Sequence, residues 1–155
     1  MESAHWGWQL SRVCVPALFI IMGWVVVSRD HNKRETRKEI RSYLDRTIVS
    51  VEKVCDMAFS YFTTECELEA SSIGAKIDPL LMRLEKSLQH LNLKNEQDAP
   101  VTAAELRQAI TGHNAYKTSP RRVLMCSDSA LMQINITAHG LINDLEAAYR
   151  KQYQK

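Results

Sequence analysis

The chain has 155 residues, and its 20 Lys and Arg stand against 18 Asp and Glu for a formal net charge of +2. That length allows one domain with a modest core rather than two, and so balanced a charge gives no electrostatic case for a nucleic-acid partner. With only five Gly and four Pro, the composition excludes a β-sandwich or a disordered tail and favours long helices.

The first feature in chain order is the uncharged stretch from Val13 to Ser28, VCVPALFIIMGWVVVS, set between Arg12 and Arg29. At 1.5 Å per residue it reaches about 24 Å, and a start near Trp6 gives it the roughly 30 Å of a hydrocarbon core. Trp6, Trp8 and Trp24 suit the two interfaces, and Pro16 falls in an early turn where few backbone hydrogen bonds are lost. A cleaved signal peptide fits less well, because Val26-Val27-Ser28 is a poor cleavage site and the start carries little positive charge. A lipid-modified Cys14 fits poorly too, since Ser11-Arg12-Val13 precedes it. The stretch therefore predicts a single transmembrane helix over 13–28 after a short extracytoplasmic N-terminus, 1–12.

Arg29, Lys33, Arg34, Arg37, Lys38, Arg41 and Arg46 crowd the next segment, so the positive-inside rule predicts a basic juxtamembrane helix over 29–46 on the cytoplasmic side. Arg29, Lys33, Arg34, Arg37, Lys38 and Arg41 serve as candidate contacts to anionic lipid or to a partner, with Asp30, Glu35, Glu39 and Asp45 as local ion-pair partners. The expected setting is a single-pass protein of the cell (inner) membrane, N-terminus out and C-terminus cytoplasmic.

Residues 47–155 are expected to form a helical cytoplasmic domain, either a small bundle or a hairpin with a C-terminal helix. Leu44, Ile48, Val51, Cys55, Ala58, Phe62 and Cys66 recur at three- and four-residue steps and predict one long helix. Ala70-Ser71-Ser72-Ile73-Gly74 weakens that helix, and Asp78-Pro79 has the form of an N-cap and first helical residue, so a new helix is expected there, with a mere kink at Pro79 as the alternative because the apolar spacing is nearly kept through Ile73. Ile77, Leu81, Leu84, Leu88 and Leu91 give it an a/d seam. The polar, Pro-containing 94–101 segment predicts a surface loop, and Thr102-Ala103-Ala104-Glu105 spells a capping box for a short helix with Leu106, Ala109 and Ile110 inward and Gly112 at its end.

The stretch from His113 to Cys126 lacks periodicity and holds Lys117, Arg121 and Arg122 beside Ser119-Pro120, candidates for an acidic-partner or phosphate-binding loop against the plainer reading of a basic connector. Ser127 or Asp128 then caps a last helix whose seam is Leu131, Ile134, Ala138, Leu141, Leu145 and Ala148, and Gly140 inside it predicts a close helix crossing. The Asn135-Ile136-Thr137 sequon is mid-helix in a domain expected to be cytoplasmic, and is discounted.

No catalytic residue, cofactor or metal site is expected. The chain has no nucleotide-binding, nucleophile-elbow or H-E-x-x-H motif, and Cys14, Cys55, Cys66 and Cys126 form no C-x-x-C pair or zinc spacing with the histidines and are expected to be buried thiols. Two roles are left for a protein that is not an enzyme and takes no small-molecule substrate. One is a membrane-anchored interaction or scaffold protein, partnered by lipid and by a protein or a second copy through its helical seams. The other is a spanin-like envelope-spanning or membrane-remodelling protein with its C-terminal part outside the cytoplasm.

Overall fold

The computed structural model describes the backbone of residues 3–153 and the side chains of residues 22–25, 27–29 and 31–153. The described residues are all-α: α1 spans Ser3–Thr63, α2 Glu67–Leu91, α3 Ala104–Thr111 and α4 Ser129–Tyr153. The chain divides into two compact units, Met1–Ile40 and Arg41–Lys155. Among the described residues no helix is long and apolar enough to cross a membrane. Most side chains of the expected span over 13–28, and all those of the expected extracytoplasmic N-terminus, lie outside the described residues.

The apolar core is in the second unit. It takes Leu44, Val51, Val54, Ala58 and Phe62 from α1, Ile77, Leu81, Leu84 and Leu88 from α2, Leu106 and Ile110 from α3, and Leu131, Ile134, Leu141 and Leu145 from α4. The seams expected on α2 and α4 are buried throughout. On α1 the expected Leu44, Val51, Ala58 and Phe62 are buried, and the stripe leans by one position towards Thr47 and Val54. Ile48 and Cys55 are half-buried, whereas Thr47 and Val54 are buried, and Cys66 lies beyond α1 and is exposed. Thr47 is tolerated because its hydroxyl donates to the Tyr43 carbonyl at 2.9 Å, so no polar group is stranded.

The break between the first two helices falls at 64–66, not at Gly74–Pro79. α2 runs on through Pro79, because Ile77 and Leu81 must both reach the core and the burial gained there outweighs the hydrogen bond that proline cannot make. What ends α1 is tertiary. The Arg121 guanidinium donates to the carbonyls of Tyr61 and Thr64, and the Leu124 N–H donates to the Phe62 carbonyl at 2.9 Å. These groups satisfy carbonyls that a helix end leaves without a partner.

Three further expectations need correction. Thr102 makes no capping bond. α3 starts at Ala104 with Ala103 as its N-cap, because Val101 and Ala103 are both pulled into the core and the Val101 N–H is held by the Leu93 carbonyl at 3.0 Å. Gly140 is exposed, with nothing within 4 Å of where its Cβ would stand, so it marks no close crossing. The thiols are not all buried: Cys66 and Cys126 are exposed and Cys55 is half-buried, its thiol pushed up by burial. Cys14 lies outside the described side chains.

The expected cap of α4 is present, since Asp128 Oδ1 accepts from the Ala130 N–H at 3.0 Å. The 94–101 loop is a tight surface turn in which Asn95 Oδ1 accepts from the N–H groups of Gln97 and Ala99. Lys151 near the end of α4 clamps it, donating to the Asn95 and Glu96 carbonyls and to Asp98.

Candidate functional site

The two basic stretches, so similar as sequence, are used in different ways. From Arg29 to Glu39 every described side chain on α1 is exposed. At about 100° per residue, Arg29, Lys33, Arg34, Arg37 and Lys38 fall within one half of the helix circumference and Glu35 and Glu39 within the other. Asp30 belongs by position to the basic half; its side chain is outside the described residues. Lys38 and Glu35 meet at 3.2 Å with 75% and 50% of their side chains exposed, so water screens that pair heavily.

Arg41, counted with this group in the sequence, is tied to α4 instead. Its guanidinium makes a two-pronged bond to Glu146 on α4, both contacts at 2.9 Å, with Asp45 at 3.0 Å and the Tyr149 ring beneath it at 5.5 Å. The hydrogen bond to Glu146 raises its pKa further above an already high value, so it stays charged throughout.

The second stretch folds into a hub beneath the α1–α2 break. Tyr61 sits at its centre, its ring 5.0 Å from Phe62 and 5.4 Å from Tyr116, while Phe62 meets His113 edge-on at 5.8 Å. The Tyr61 hydroxyl accepts from the Lys117 N–H at 2.8 Å, and Arg121 lies over the same ring at 5.8 Å. Gly74 of α2 is buried against this ring, and a Cβ there would stand 2.8 Å from Tyr61 Cε2. Bulk at position 74 and the ring at position 61 exclude each other.

Asp78, expected as a helix cap, ties the hub to α2. Its carboxylate accepts from Lys117 Nζ at 2.5 Å and from the Tyr116 hydroxyl at 3.0 Å. It is held below the usual carboxylate range, chiefly by the Lys117 hydrogen bond, with burial opposing and Tyr116 adding to the effect. Tyr116 moves the other way, pushed well above the usual phenol range first by burial and then by its bond to Asp78. On the neighbouring face of α2, Glu85 takes a two-pronged bond from Arg107 of α3 at 2.7 and 3.0 Å, and that bond raises the Arg107 pKa. Lys117 and Arg121 are thus engaged within the fold. Arg122 is exposed and makes no ion pair among the described residues.

An apolar cleft of about 420 Å³ lies between the end of α2 and the segment before α3, lined by Leu88, Leu93, Pro100, Val101 and Ala103 with Glu85 and Gln89 at its rim. A second, of about 350 Å³, is bordered by Tyr61, Ser71, Gly74, Lys117 and Arg121. Among the described residues no group of three or more His, Cys, Asp or Glu is placed to hold a metal ion. Comparison with known families, with curated proteins and with solved structures finds no match to this chain.

Proposed function

We propose that this protein is a membrane-anchored helical scaffold, without catalytic activity, in which 13–28 crosses the inner membrane and the helical domain presents a binding surface on the cytoplasmic side. The observation that carries this reading is the end of the uncharged stretch, where Met22, Trp24 and Val27 are 59%, 72% and 68% exposed on α1 immediately before the basic run. Large apolar side chains in so dense a row need a cover, and lipid supplies one. Arg29, Lys33 and Arg34 then lie at headgroup height, each adding about 1 kcal/mol of attraction to an anionic leaflet. Confinement to a plane raises the effective concentration of any partner in the same membrane, so a weak interface suffices.

Two measurements test it. The full chain should stay in the membrane pellet through alkaline carbonate and high salt; release by salt alone overturns the span. Protease added to intact spheroplasts should leave a C-terminal tag untouched. Digestion of that tag reverses the topology and brings forward the spanin-like, envelope-spanning reading.

A further inference from the structure

The outward face of α4 carries no charge over most of its length. At about 100° per residue, Ser129, Met132, Ile136, Gly140, Asn143 and Ala147 fall within an arc of about 80°, on a line that runs about 27 Å along the axis. All are exposed except the half-buried Ala147, with Met132 62% and Ile136 57% open to solvent. The ionisable residues of this stretch, His139, Asp144 and Glu146, stand outside the arc, and the first charge on it is Arg150. With 25% of the chain charged, an exposed line of about five turns without a charge is more than a face turned only to water requires. Gly140 crosses no helix of its own chain, and with nothing within 4 Å of its Cβ position it leaves room at the middle of the line for another backbone.

We propose that this face of α4 pairs with the same face of a second copy, the two helices running parallel about a two-fold axis between them. In that arrangement each residue of the line meets its own counterpart. A charge on the line would then face a like charge, so the line has to be neutral, a condition that a foreign partner does not impose. Asn143 meets Asn143 of the second copy, and a pair of amides at such a position fixes register and direction between parallel helices. Helices that cross at Gly140 diverge towards their ends, which keeps the two copies of Arg150 apart. A strip about 27 Å long and about 11 Å wide covers about 300 Å² on each copy, less than half of the roughly 800 Å² of a standard interface. So small a contact holds only where copies are already concentrated, and confinement in one membrane supplies that concentration. For this step the inference rests on the anchored-scaffold reading, which it deepens by naming the partner. A shorter uncharged line on α2, from Leu68 to Met82, contains Pro79 and ends at Lys86, and serves as the comparison.

The test is energy transfer between full chains carrying a donor or an acceptor at the C-terminus, reconstituted in phosphatidylcholine vesicles over a range of lipid-to-protein ratios. Transfer in the parent should exceed that of random encounters at the same density. Ile136→Glu and Ile136→Lys should each weaken pairing about tenfold, because like charges then meet across the axis. Mixing Ile136→Glu donor chains with Ile136→Lys acceptor chains should restore it to within about twofold of the parent, since only a self-facing position is rescued in this way. The same exchange at Met132 should repeat the pattern, with circular dichroism of every variant matching the parent, and Leu68→Lys should leave transfer unchanged. Parent transfer no greater than random encounter overturns the proposal. So does transfer that survives both charges at position 136, or that is not recovered in the mixtures at 136 and 132. Loss of transfer in Leu68→Lys moves the contact to α2 and overturns it as well. Flotation of the same vesicles reports on the anchor separately: chains that do not float overturn the scaffold reading, whereas floating chains without transfer overturn the pairing alone.

Discussion

Arg29–Lys38 and Lys117–Arg122 are both short, basic and polar, and composition alone does not separate them. The structure does. In the second stretch Arg121 and Lys117 end a helix and fasten a loop, with Tyr61, Thr64 and Asp78 as their acceptors, and Arg122 is exposed with no ion pair among the described residues. In the first, the side chains stand in water along one face. A cation near an orphaned carbonyl contributes to stability, whereas a cation standing in water on a helix contributes little. The difference lies in what the remainder of the fold leaves unsatisfied.

The comparison breaks most visibly at Arg121. Arg121→Met keeps much of the packing on Tyr61 but removes two charge-assisted bonds, so it should cost about 2 kcal/mol and lower the melting temperature by several degrees, where Arg34→Gln should change it by less than about 0.5 kcal/mol. Thermal melts followed by circular dichroism decide this. Equal effects would mean that the two stretches are not used differently.

The hub can also be overfilled. Gly74→Ala adds a methyl 2.8 Å from Tyr61 Cε2, and Tyr61 is only 3% exposed, so the ring cannot give way cheaply. Overpacking of about 1–3 kcal/mol should outweigh the roughly 1 kcal/mol gained in helix propensity, leaving a net loss. Gly140→Ala, in open space on α4, should instead stabilise by up to about 1 kcal/mol. Opposite signs for the two substitutions in urea unfolding would confirm that the ring at 61 sets the first; a gain at both would show the hub to be loosely packed.

A smaller effect comes from pH. The folded pKa of Asp78 is depressed, so its contribution is present above the unfolded value of about 4 and is lost as pH falls through the folded one. The stability difference between the parent and Asp78→Asn should therefore be seen at pH 6 and shrink towards pH 3. No such change is expected for Arg29→Gln, which should be as stable as the parent at both pH values.

Much of the fold was legible because helical periodicity survives folding. The seams of α2 and α4 were read correctly from Leu and Ile spacing, and the Asp128 cap from a local side-chain preference. The starts of α2 and α3 were misplaced for one shared reason. Asp78-Pro79 and Thr102–Glu105 are strong local signals, but the burial of Ile77, Leu81, Val101 and Ala103 is a larger energy and overrides them. Of the candidate site residues, the exposed run on α1 could be placed from sequence, since no apolar residue interrupts 29–39. The engagement of Arg41, Lys117 and Arg121 could not, because Glu146, Asp78 and the carbonyls of Tyr61 and Thr64 are far from them along the chain.

What the sequence determined by itself was the kind of element and the order of elements: helices throughout, an uncharged stretch followed by basic residues, a polar turn at 94–101 and an irregular segment before the last helix. Each of these depends on residues within a few turns of one another, where propensity, spacing and charge act directly. Where α1 stops, which of its faces is buried and which cations are engaged within the fold were decided only when distant segments met. A helix end needs acceptors and donors that its own sequence does not contain, and for α1 they come from residues 121–124.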